Sequence, residues 1–149
     1  MGTIPLSATL ADQHRQIDHG VQGIVDGYGN LDALAASLAL LRRHLYLEEA
    51  LLFPPLVEAG LAMPVFVMKR EHGQMWPLRV GLSAACGAAT PVATLCEPAR
   101  QLFQLLQIHN TKEEQIVYTA ADRLDDAALA EAIGQASVPG DWVCATAPH

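Results

Sequence analysis

Apolar residues recur every three or four positions along most of the chain, and no run alternates with period two, so the pattern predicts helices and no sheet. Leu10, His14, Ile17 and Val21 share one face of a first helix, opened by a cap within Ser7 to Leu10 and closed by the turn Gly27-Tyr28-Gly29-Asn30. Asn30 then caps a second helix running from Leu31 to about Glu58, which Pro54-Pro55 should bend or shorten. Gly60 ends it. Pro64 opens a third helix carrying Val65, Met68, His72, Met75 and Leu78, with a kink expected just after His72 because Gly73 and Pro77 weaken the segment. The small-residue stretch 81–90 reads as ragged helix or loop. A fourth and longest helix is predicted from Pro91 or Val92 to Arg123, with Pro98 as an irregularity near its start. A short fifth helix covers 125–133, and Pro139 to His149 reads as a tail.

Four amphipathic helices joined by short connections pack as an up-down-up-down bundle, so the fold class expected is all-α. The bundle should occupy about 7–123, with the short helix and tail at 124–149. A length of 149 residues suits one domain with a core large enough to hold a polar site.

Composition narrows the partners. A net charge of −7 argues against a nucleic-acid partner, which would want a basic face. No basic amphipathic run suggests a membrane surface, and apolar runs are broken well short of a membrane span. Met1-Gly2-Thr3-Ile4-Pro5-Leu6 lacks the basic start of a leader and the Ser or Thr of a myristoylation signal, so a cytoplasmic protein is expected. Cys86, Cys96 and Cys144 form no C-x-x-C pair and read as reduced, packed thiols.

The chemistry lies in a spacing that occurs twice. His109 and Glu113 fall one above the other on a face with Leu102, Leu105 and Ile116, and His44 and Glu48 do the same among Leu40, Leu41, Leu51 and Leu52. An imidazole and a carboxylate in an apolar stripe need a partner, and a divalent metal serves both. With His14 on the first helix and His72 on the third, every helix contributes inward: His14, His44, Glu48, His72, His109 and Glu113. Four imidazoles and two carboxylates exceed one tetrahedral zinc and suit two ions with bridging carboxylates and a solvent-derived oxo or hydroxo bridge. Iron is favoured, because a carboxylate-bridged pair in a helical bundle is the usual di-iron setting. The neighbours Glu49 and Glu114 are rotated off this face and read as solvated charges, with a slip of one residue making Glu114 the alternative to Glu113. Asp18 reads as helix charge, His19 and His149 as surface groups, and Trp76 and Met75 as apolar walls. Tyr46 and Tyr118 are expected to point away from the histidines.

The segments Asp12-Gln13-His14-Arg15-Gln16-Ile17, His44 to Pro54, Arg70-Glu71-His72 and His109 to Tyr118, in that order, resemble the hemerythrin-like, HHE cation-binding family over about 7–123. The resemblance implies the same six residues as ligands of a non-heme di-iron centre. It departs from the oxygen carriers, which have a further His four residues after the third-helix His and an Asp five after the last His; here these positions hold Trp76 and Glu114. That departure resembles the branch linked to nitric oxide, peroxide and repair of iron centres, although no cysteine precedes His14 as it does in repair proteins. The function expected is therefore binding of a small diatomic or peroxide, O₂ or NO, with redox turnover through an electron donor. Apolar walls of Leu10, Leu41, Met68, Leu105 and Ile116 would exclude water. The alternative is a non-catalytic iron or oxygen sensor or store.

Overall fold

Backbone donors and their partners set the ends of each helix. The computed structural model describes residues 4–148; Met1 to Thr3, where the leader and acylation readings begin, and His149 lie outside the described residues. Helix α1, Leu6–Asp26, starts behind Pro5 with no side-chain cap. The expected Ser7 cap is instead a tether: its N–H and Oγ both donate to the Asp122 carboxylate. Gly27, at φ 83°, ends α1 in a left-handed turn that a side chain would strain. Asn30 caps α2, Leu31–Leu47, as predicted, its Oδ1 accepting from the Ala33 N–H at 2.8 Å.

The second rod is not shortened by its prolines: it runs to Glu58 as expected, in three consecutive pieces. A π turn spans Glu48–Leu52, and α3 is only Phe53–Glu58. Helix α4, Ala62–Gly87, passes through Gly73 and Pro77 as one helix and absorbs most of the stretch read as ragged. A 3₁₀ turn at Val92–Leu95 leads into α5, Cys96–Lys112, where Pro98 sits in the first turn and its missing N–H costs no helical bond. A second π turn, Glu113–Val117, joins α5 to α6, Tyr118–Leu124. Asp126 caps α7, Ala127–Gln135, its Oδ1 accepting from the Leu129 N–H.

The result is an all-α helical bundle with a short C-terminal helix. Helix α1 packs on α2 and α5, and α4 packs on α5 and α2. At the α1–α2 crossing the backbones approach so closely that a Cβ on Gly20 would lie 2.0 Å from Ser37 Oγ. Two apolar bodies fill the interior. One contains Ile17, Val21, Leu38, Leu41, Met75 and Leu102, and the other Leu10, Leu52, Phe53, Met68, Val117 and Tyr118. His14, His44, Glu48, His72, His109 and Glu113 lie between them in sequence on each rod and are all buried.

The segment expected to be a plain tail packs back on the bundle. Arg42 donates to the carbonyls of Pro139, Gly140 and Trp142, and Arg43 to those of Ile133, Gly134 and Ala136. Trp142 stands edge-on to both Tyr46 and Trp76, and Cys144 is buried. The reason lies in Gly73: with no side chain there, Thr146 rests on α4 where a Cβ would come within 2.4 Å of it.

Candidate metal centre

All six predicted side chains turn into one buried space. Their ligating atoms form two groups, His14–His44–Glu48–Glu113 and Glu48–His72–His109–Glu113, with the atoms of each within 4.8 Å of one another. The two carboxylates belong to both, and each divides its oxygens. Glu48 turns Oε2 to His44 Nε2 and Oε1 to His72 Nε2, both at 3.2 Å. Glu113 turns Oε1 to His14 Nε2 at 3.0 Å and Oε2 to His109 Nε2 at 3.3 Å.

The outer nitrogen of every imidazole is held by an oxygen from a neighbouring rod. His44 Nδ1 donates to Gln13 Oε1 at 2.7 Å, His72 to Glu49 Oε2 at 2.7 Å, His109 to Glu71 Oε1 at 2.9 Å and His14 to Glu114 Oε2 at 2.8 Å. Each rod thus orients the histidine of the next, and the fourth returns to the first. Because carboxylate and amide oxygens only accept, Nδ1 carries a proton and Nε2 is the nitrogen that faces inward. These partners also tether the rings, and Glu49 and Glu71 raise the basicity of His72 and His109. Glu71 is in turn engaged by Lys112 Nζ.

The site draws positive charge. Burial alone would depress the His44 pKa, but Glu48 and Glu113 outweigh it and hold it at about 9. His109 follows the same balance to about 10, and His72 also rises. Desolvation works against ionised Glu48 and Glu113, yet the surrounding imidazoles keep both carboxyls low, Glu113 well below its ordinary value. Protons here occupy the electrostatic role a cation would take. They leave Glu48 Oε1, Glu113 Oε2, His72 Nε2 and His109 Nε2 buried without a hydrogen-bond partner. Four orphaned polar atoms facing one space are costly to a protein unless something binds there.

Tyr118 and Ile116 depart from the helical arithmetic. On an unbroken α-helix Tyr118 falls about 180° from His109 and Ile116 about 20°. The π turn takes up one extra residue, with the Tyr118 N–H reaching back to the Glu113 carbonyl, and rotates everything beyond it by about 100°. Tyr118 therefore swings in and is fully buried, whereas Ile116, expected to wall the site, is 50% exposed. The Tyr118 hydroxyl lies 2.7 Å from Glu48 Oε2 and 2.8 Å from Glu113 Oε1, with burial and both carboxylates pushing its pKa well above the usual phenol value. The same rotation at the first π turn places Phe53 against His72, ring centroids 5.8 Å apart.

The remaining expectations divide. Tyr46 does point away, onto Trp142. Glu49 and Glu114 are not simply solvated, since each holds a histidine, and Glu114 does so from the outer side with its side chain 42% exposed. Asp18 accepts from Gln107 at 3.0 Å and does not reach a histidine. It shares a surface cleft of about 300 Å³ with His14, Asn110 and Glu114. Of the outer partners, Gln13 and Glu71 directly precede a site histidine and Glu49 and Glu114 directly follow a site glutamate; that adjacency is the sequence signal that could have found them.

No curated protein and no solved structure gives a match to the chain. Residues 6–121 match the hemerythrin HHE cation binding domain, an interval that holds all six inward side chains and both π turns. On that match and the two buried His/Glu groups, this metal-binding helical bundle belongs to the hemerythrin HHE cation-binding family.

Proposed function

We propose that the chain is a non-heme di-iron protein of one domain, cytoplasmic, that binds a small diatomic or peroxide, O₂ or NO, with redox turnover through an electron donor. The observation that carries the reading is the division of each carboxylate, one oxygen to each pair of histidines. Two mutually shared carboxylates suit a pair of cations better than one. His14 and His44 would hold one ion, His72 and His109 the other, with Glu48 and Glu113 common to both. The donor set fits iron: imidazole and carboxylate without thiolate. When bound, an iron pair supplies two exchangeable electrons and a position for a small ligand.

The chain's own residues do the rest. The outer hydrogen bonds keep each Nε2 aimed inward, so an arriving cation displaces protons from rings that already face it. Leu10, Leu41 and Met68, all buried, keep bulk water and large reductants from the site, and Leu105 is partly buried beside them. Free Cys86, Cys96 and Cys144 suit a reducing compartment. Among the described residues no helix is long and apolar enough to cross a membrane.

Anaerobic loading with ferrous iron, followed by metal analysis and optical titration with O₂ and NO, tests the proposal. Two irons per chain and a spectrum that responds to either gas are expected, together with a rise in melting temperature by linkage. A chain that takes up no iron, or whose melting is unmoved by chelation, removes it.

A further inference from the structure

The two halves of the site are built alike. In the first, Gln13 precedes His14, and His44 is followed by Glu48, Glu49 and Phe53; in the second, Glu71 precedes His72, and His109 is followed by Glu113, Glu114 and Tyr118. Both π turns open at the shared glutamate, and both deliver the residue five positions on, Phe53 or Tyr118, onto a histidine of the opposite half. Phe53 stacks on His72 at an interplanar angle of 21°, and Tyr118 on His14 at 25° with centroids 5.3 Å apart. The equivalent positions differ by one oxygen atom.

That oxygen sits at the centre of one donor group only. Tyr118 Oη is 3.0 Å from His14 Nε2, 2.9 Å from His44 Nε2, 2.7 Å from Glu48 Oε2 and 2.8 Å from Glu113 Oε1. A hydroxyl has one proton and two lone pairs, so it cannot satisfy four such neighbours, two of them carboxylate oxygens competing for the same proton. The four atoms are the ligand set of one proposed ion, and a cation among them has to meet the phenol oxygen. The ring is fully buried, packed in the apolar body that holds Leu10, Leu52, Phe53 and Val117.

Resting on the di-iron reading, we propose that Tyr118 is a seventh protein ligand, binding through its oxygen the ion held by His14 and His44. The hydroxyl proton leaves to solvent and an oxygen lone pair passes to the cation. The pair is then unequal, with five side chains on that ion (His14, His44, Glu48, Glu113, Tyr118) and four on the other (His72, His109, Glu48, Glu113). The external ligand goes to the second ion, where Phe53 leaves the corresponding place without an oxygen.

Wild-type protein, loaded with iron and oxidised to the ferric state, is examined by metal analysis, visible absorption and resonance Raman. Expected are two irons per chain, a phenolate-to-iron charge-transfer band and enhanced tyrosine ring modes that shift with ring-deuterated tyrosine. Tyr28 is 91% exposed and Tyr46 stands edge-on to Trp142, away from the site, so the modes have one source. Tyr118→Phe should keep both irons and lose the band completely, and adding Phe53→Tyr to it should restore a band. Two irons with no tyrosine-enhanced modes overturn the ligand while leaving the di-iron reading intact; no bound iron overturns both. The wild-type spectrum decides the matter even if Tyr118→Phe fails to fold.

Discussion

The half of the site on α1 and α2 and the half on α4 and α5 repeat the same devices, yet their buried atoms fare differently. Around His14 and His44 every inward atom meets the Tyr118 hydroxyl; around His72 and His109 the four facing atoms have no hydrogen-bond partner. Gln13, a neutral amide, holds His44, whereas the carboxylate of Glu71 holds His109. In the di-iron reading, near-duplicate halves would place two cations symmetrically, and two side-chain differences would make them chemically unequal.

Removing what the halves share should cost most. Glu113→Ala leaves four imidazoles with a single carboxylate on their inner side and should lower stability by about 3–5 kcal/mol, as when one partner of a buried pair is removed. Chemical denaturation and metal analysis check this, and a variant that keeps both irons would contradict the shared role.

Within one half the loss should be local. His72→Ala is expected to retain one iron per chain and to spare the tyrosine-derived band, whereas His14→Ala should weaken that band. Equal spectra from the two variants would erase the distinction between the halves. A smaller change follows from Glu71→Gln, which makes the outer partner of His109 resemble that of His44. Metal affinity should fall by about 10–100-fold, the range typical of such outer contacts, measured by competition with a chelator.

Acidity separates the metal-free from the loaded protein. His44 and His109 have folded pKa values of about 9 and about 10 against an ordinary 6.5, so their stabilisation is complete below 6.5 and is lost as pH rises through 9 to 10. Metal-free protein should therefore melt earlier at pH 10 than at pH 6. Loaded protein should show the opposite slope on the acid side, because protons compete with metal for the same nitrogens. Parallel melting curves across that range would contradict the assignment.

The smallest effect belongs to the C-terminal segment. Ala145 N–H donates to Glu49 Oε1 at 2.9 Å, and Glu49 Oε2 holds His72, so through Glu49 the segment steadies His72. Gly73→Ala would press on Thr146 and should cost about 1 kcal/mol, roughly one hydrogen bond, with slightly weaker metal binding on the His72 side. Unchanged melting and affinity would mean the segment merely covers α4.

Much of this arrangement was legible along the chain. The 3.6-residue recurrence of Leu, Ile and Val specified four rods, and the two His-x-x-x-Glu units with His14 and His72 marked the six inward side chains. Those readings depend on local periodicity, which sequence states directly. The outer partners were harder, because Gln13, Glu49, Glu71 and Glu114 each bond a histidine on a different rod, and a one-helix projection sees only its own face. The carboxy-terminal segment was read as tail since neither Trp142 nor Thr146 announces a partner; the receiving places, Gly73 and the Arg42 side chain, lie far away in sequence.

What the sequence determined by itself is the bundle and the six converging side chains, because amphipathic spacing and the burial of paired imidazole and carboxylate groups act within a few turns. Only the tertiary structure decided that Glu48 and Glu113 open π turns, that Tyr118 enters and Ile116 leaves, and that one half holds a hydroxyl. A single extra residue in a helical turn rotates every later side chain by about 100°, and whether a turn widens is settled by what packs around it.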